Sequence, residues 1–287
     1  MPFRSLLLTV LCVAFLPLAQ PAPAAEPPKS GLDARRQINL AGRQRMLSQQ
    51  IVLMLCMAHQ GVRKAETSEQ ALAAIAEFDR VLNGLRFGND QLGLPMETNR
   101  DVLKALAQIE RLWPRFRGVS QAVARGAGGL DEVRQAAPEI LRLSNEAVLA
   151  LVAHEKVGGD AALNHTIDIA GRQRMLLMKM TMEACLVTTG LNPEEDKARA
   201  AKTMELFRSS LDNLRKGDAG SNIIEPPMWE VDAMLEVVEE GWMALEPSLA
   251  TQLGAGGTDV RALGALLDQA MKAMADMNEA VWMYENI

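Results

Sequence analysis

Aromatic residues are scarce in this 287-residue chain, at 4%, with a single Tyr, while Met reaches 17. Ala and Leu are abundant, and together with Met, Glu, Gln, Lys and Arg they fit a helix at least cost, so the composition favours an all-helical chain over a β-sandwich. Histidine is also rare. His59, His154 and His165 have no metal-type spacing to cysteine or carboxylate, and a zinc site needs three or four convergent ligands. There is no Cys-x-x-Cys-His haem attachment, and no Gly-x-Ser-x-Gly, Walker or Rossmann fingerprint. No nucleophile, base or metal constellation stands out, so the expected function is non-enzymatic and without cofactor or metal. A basic surplus is missing too. The net charge is −6, which argues against nucleic acid as a partner.

Long apolar runs are absent after the N-terminus, where no stretch reaches the ~18–20 residues of a membrane helix. The N-terminus itself reads as a secretory signal over residues 1–25. Arg4 is the positive region, Leu6 to Leu18 the apolar region, and Ala22-Pro23-Ala24-Ala25 the small-residue cleavage site. The expected location is the periplasm, an oxidising compartment. Cleavage would remove Cys12 and leave Cys56 and Cys185.

The clearest positive feature is a repeat. Residues 38–47 read INLAGRQRML and residues 167–176 read IDIAGRQRML, an offset of 129. At the same offset Cys56 meets Cys185, Phe78 meets Phe207, Gly88 meets Gly217 and Trp113 meets Trp242. Near the ends, Asn145-Glu146-Ala147-Val148 matches Asn278-Glu279-Ala280-Val281 at offset 278 − 145 = 133. One register held this long indicates tandem duplication, with domains at 31–156 and 160–287 and a junction at Gly158-Gly159-Asp160. Periodicity and punctuation give four helices per copy, at 33–60, 67–87, 97–124 and 131–157, then 161–189, 193–216, 226–246 and 258–286. Asn192 before Pro193, and Thr258-Asp259, read as caps. The expected fold is two antiparallel four-helix bundles related by a pseudo-two-fold axis.

On a helix, Ile38, Gly42, Arg45, Gln49, Val52, Cys56 and His59 recur at alternating steps of four and three, forming one stripe. The matching stripe is Ile167, Gly171, Arg174, Met178, Thr181, Cys185 and Thr188. A second face, with Leu40, Leu47, Ile51, Met54, Leu55 and Ala58, is the expected core of its own bundle. Glycine inside a helix costs ~1 kcal/mol relative to alanine, so its presence in both stripes implies a close approach to the backbone. Arginine one turn later adds a planar, permanently charged fork suited to oxyanions. If the first helices pack along this stripe, Arg45 and Arg174 face each other, and they repel unless an anion lies between them. The alternative is that both reach solvent or pair with bundle carboxylates.

At this motif the sequence resembles the PilJ-type domain, the N-terminal domain of type IV pili methyl-accepting chemotaxis transducers, to which the sensing domains of nitrate/nitrite sensor kinases are related. The family hallmark, Ala-Gly-x-x-Arg-Met-x-Ser in the first helix of a periplasmic four-helix bundle, is matched by Ala41-Gly42-Arg43-Gln44-Arg45-Met46-Leu47-Ser48. The Asn-Glu-Ala-Val segment is also similar to the family. The resemblance implies a nitrate-type site shared by two first helices, formed here by Gly42, Arg45, Gly171 and Arg174, with the tandem chain supplying both halves. The second copy departs from the pattern with Leu177-Met178 in place of Ser48-Gln49, so the site should be asymmetric. Such transducers carry membrane helices and an output domain, neither of which is expected from this sequence. The expected role is therefore a sensor that binds a small anion and acts through a membrane-bound kinase, transducer or similar partner, or a ligand-free adaptor in the same kind of system.

Cys56 and Cys185 each lie 11 residues after the motif arginine, about three helical turns, and so share its face. A disulfide across the seam requires Cα atoms within about 7 Å; two buried thiols are the other outcome.

Overall fold

The computed structural model describes residues 31–155, 160–254 and 259–287, and the signal segment and the Gly158-Gly159 part of the junction lie outside them. The described residues form eight α-helices and no strands: α1 (Gly31–His59), α2 (Lys64–Phe87), α3 (Arg100–Ala124), α4 (Leu130–Glu155), α5 (Ala161–Thr188), α6 (Pro193–Lys216), α7 (Trp229–Gly254) and α8 (Val260–Glu285). The chain is all-α.

The helix ends follow local chemistry. Asn99, Asp160 and Asp259 each accept hydrogen bonds from the backbone N–H groups of the second and third residues of α3, α5 and α8, satisfying donors with no partner inside the helix. Asn192 sits at the cap position before Pro193, but its side chain makes no cap hydrogen bond. The expected end of α7 at 246 is corrected to Gly254. Pro247 removes one N–H, yet Leu245 and Leu249 are both fully buried, and their packing holds the last two turns on the core.

The α2–α3 and α6–α7 turns are built alike. Asn89 pairs with Leu94 and Asp218 with Ile223 in matching bridges. Gly88 and Gly217 enter these turns at φ of 81° and 71°, a conformation that glycine adopts without strain. A Cβ on Gly88 would also lie 2.9 Å from the Met96 nitrogen.

Within the first copy the helices alternate in direction. Gln37 near the start of α1 reaches Glu97 just before α3, and Asn99 meets His154 at the end of α4. Each copy is centred on a matched aromatic pair: Phe78 stacks on Trp113 with centroids 3.8 Å apart, and Phe207 packs on Trp242 at 4.8 Å. Burying such rings contributes more than most aliphatic contacts.

The two copies join through their first helices. Arg45 of α1 reaches Asp168 of α5, Arg174 of α5 reaches Asn39 of α1, and Cys56 is bonded to Cys185. Equivalent positions meet in the same order, so α1 and α5 run parallel. Both helices are buried nearly all round, which explains why neither shows a clean amphipathic pattern.

Candidate functional site

The stripe lies in the α1–α5 seam. Gly42, Arg45, Gly171 and Arg174 are all buried, and both arginines are 1% exposed. The glycines make room for the guanidinium groups. A Cβ at Gly42 would stand 3.2 Å from Nη2 of Arg45 and 3.8 Å from Nη2 of Arg174. One at Gly171 would stand 3.3 Å from Nη2 of Arg174 and 3.7 Å from Nη2 of Arg45. The close approach to the backbone is thus made by the arginines themselves. Farther along the same face, Cys56 and Cys185 form a disulfide with Cα atoms 6.2 Å apart.

Each arginine is held by its own copy and by the other. Nη1 of Arg45 donates to Oδ1 of Asn145 on α4 (3.1 Å), and Nη1 of Arg174 donates to Oδ1 of Asn278 on α8 (2.8 Å). These asparagines open the repeated Asn-Glu-Ala-Val segments. Each Nη2 crosses the seam to the residue three before the opposite glycine, and there the copies part. Arg45 meets Asp168: Nη2 lies 2.7 Å from Oδ1 as an ion pair, and its hydrogen bond goes to the Asp168 carbonyl oxygen at 3.2 Å. Arg174 meets Asn39, donating to Oδ1 at 2.7 Å and to the carbonyl oxygen at 3.3 Å.

Burial lowers both guanidiniums, and the copies differ in what opposes it: an ion-paired Asp168 beside Arg45, and Glu285, which makes no ion pair with it, beside Arg174. Burial opposes ionisation of Asp168, but Arg45 and Arg172 outweigh it and hold the carboxyl below its ordinary value. Asp168 also accepts from Arg172 at 3.2 Å. Arg174 hydrogen-bonds only to neutral acceptors, and no carboxylate pairs with it among the described residues. Burial, with Arg43 and Arg45 nearby, pushes its guanidinium down to about 9, only partly opposed by Glu285. It is still a cation at neutral pH, and its Nε is buried without a partner.

Arg174 also forms the inner wall of a cavity of about 290 Å³ between α1 and α8. Arg36, Asn39, Arg43, Trp282 and Glu285 are among the other residues that line it. Arg36 is bound to Glu285 at 2.8 Å, Asn39 also donates to Glu285, and Arg43 reaches Glu77 at 3.3 Å. Trp282 is half exposed at the rim. A second cavity, of about 400 Å³, lies between the copies and is lined by Arg134, Leu141, Lys179, Met182 and Glu183 among others. No group of three or more His, Cys, Asp or Glu side chains could hold a metal ion among the described residues.

Motif reading missed Asn39, Asp168, Asn145, Asn278, Arg36, Arg43 and Glu285. Two signals pointed to some of them. Asn39 and Asp168 are the polar mismatch between the two decapeptides, and Asn145 and Asn278 belong to the other repeated segment. Glu285 had no such signal. It aligns with Val152 at offset 133, so it exists in one copy alone.

No described helix is long and apolar enough to cross a membrane. No curated protein matches the chain significantly. The family model described as "Type IV pili methyl-accepting chemotaxis transducer N-term" matches it over residues 30–137 and again over 159–276, taking in both seam helices and both motif arginines. The chain therefore belongs to the PilJ family and carries two tandem copies of this chemotaxis-transducer sensor domain.

Proposed function

We propose that the protein is a periplasmic sensor module that binds a small oxyanion at the α1–α5 seam and relays the event to a membrane-bound signalling partner. One observation carries this reading: Arg174 is a fully buried cation with no paired carboxylate among the described residues, and it opens onto a cavity. Burying a charge without a counter-charge is strongly unfavourable, and an anion entering the cavity removes that penalty. A guanidinium bonds planar oxyanions with two parallel donors. Nitrate and nitrite are the leading candidates, through the resemblance to nitrate/nitrite sensing domains. Because the cavity lies between α1 and α8, occupancy favours one placement of α8 against α1 and so changes the surface offered to a kinase or transducer. The periplasmic location rests on the signal-like residues 1–25.

Titration calorimetry of the native chain with sodium nitrate and sodium nitrite tests this. Saturable binding that is lost in Arg174→Gln is expected. Absence of binding for both anions, or unchanged binding in that variant, refutes it. The second reading, a ligand-free adaptor, draws support from the seam itself, where Asp168 already compensates Arg45 and a disulfide ties the copies together. A partner captured equally well with and without nitrate would favour it.

A further inference from the structure

We infer that the two halves of the seam are unequal by construction: Asp168 is a built-in anion that closes the Arg45 half, and one external oxyanion docks on Arg174 through the α1–α8 cavity. This rests on the oxyanion reading and specifies which half serves, by which route, and which residue pair decides it.

The two arginines have the same hydrogen-bonding frame. Each takes an asparagine from the last helix of its own copy and a residue-39-type partner from across the seam. The difference lies in that partner. Asp168 is fully buried and carries its charge within 2.7 Å of Arg45. A nitrate brought to that half would meet a fixed carboxylate, and like charges a few ångströms apart repel strongly in a protein interior. Asn39 holds Arg174 with the same geometry and no charge, so the cation there is left for a ligand. The carboxylate of that half, Glu285, is buried in the wall of the same cavity, makes no ion pair with Arg174, and is occupied by Arg36 and Asn39. Access follows the same division. Asn278 is exposed, Asn145 is half buried, and the cavity reaches Arg174 and not Arg45. Arg36 and Arg43 on its wall are ion-paired with Glu285 and Glu77, so the charge that draws an anion into the cleft is that of Arg174.

Three variants test the assignment, each titrated with sodium nitrate beside the native chain. Asn39→Asp supplies Arg174 with the same internal anion that Arg45 has, and nitrate affinity should fall at least tenfold. Arg45→Met combined with Asp168→Met removes the buried pair together, a change that buried pairs tolerate far better than loss of one partner. It should leave nitrate affinity within about threefold of native, with one nitrate per chain. Asp168→Asn withdraws the competing charge, and affinity should rise about tenfold. Native-like binding in Asn39→Asp, or loss of binding in the Arg45/Asp168 double variant as complete as in Arg174→Gln, overturns the inequality while the oxyanion reading stands. A native chain that binds neither nitrate nor nitrite overturns the oxyanion reading, and the inference with it.

Discussion

Replacing Arg45 or Arg174 by glutamine makes one chemical change at two matched positions, and the two variants should differ in stability. In Arg45→Gln the buried Asp168 loses its 2.7 Å partner and keeps Arg172 at 3.2 Å. Breaking a buried ion pair by removing one member typically costs about 3–5 kcal/mol. Arg172, 28% exposed, retains part of the compensation, so about 3 kcal/mol is expected. In Arg174→Gln the lost group is a buried cation with no ion-paired carboxylate among the described residues; burial lowers the Arg45 guanidinium too, but there Asp168 opposes it. Burial pushes the Arg174 guanidinium down to about 9, and at 1.36 kcal/mol per pH unit this is a penalty on the order of 5 kcal/mol on the charged form. Glutamine forfeits hydrogen bonds to Asn39 and Asn278, each worth about 1.5–3 kcal/mol when the donor is charged. The two effects nearly cancel, and Arg174→Gln should lie within about 1 kcal/mol of native. Urea unfolding at pH 7 in a dilute buffer free of oxyanions, with the disulfide intact, reads the gap as a difference in midpoint at unchanged slope. Equal destabilisation of the two variants, or a larger loss for Arg174→Gln, would refute the charge asymmetry.

Two further outcomes follow from the structure. The Cys56–Cys185 bond closes a loop of sequence separation 129, and Cys56→Ala with Cys185→Ala should destabilise the fold by about 3–5 kcal/mol on the chain-entropy scale; a shift in urea unfolding of less than about 1 kcal/mol would contradict that role. Glu183 has its carboxyl held above the ordinary 4.5, because burial outweighs Lys179 and Thr203. The folded state therefore keeps that proton more tightly than the unfolded chain. This contribution is complete below about pH 4.5 and is lost as pH rises through the folded value. Glu183→Gln should gain stability relative to native between pH 4 and 7 in a series of urea titrations, and a pH-independent difference would rule out this linkage.

The repeated decapeptide is sufficient to define two helical copies, because residues recurring at alternating steps of three and four share one face of any helix. It also placed Gly42, Arg45 and Cys56, with Gly171, Arg174 and Cys185, on matching stripes. The end of α7 lies beyond the expected 246 because the burial of Leu245 and Leu249, which carries the helix through Pro247, is tertiary. The partners of the two arginines were also hidden. Helical periodicity says which face a side chain occupies on its own helix, but what it meets across an interface depends on the register of the second helix.

That register is what the folded chain decided. In-register packing of α1 and α5 sets Arg45 against Asp168 and Arg174 against Asn39, turning one Asn/Asp difference between near-identical decapeptides into the difference, among the described residues, between a buried cation that is ion-paired and one that is not. Glu285, 249 residues from Arg36, joins the site solely because α8 folds back along α1. The sequence by itself determined the duplication, the helices and the shared stripe, since these depend on local spacing. Only the tertiary structure determined which arginine was left free, because charge compensation depends on distance in space.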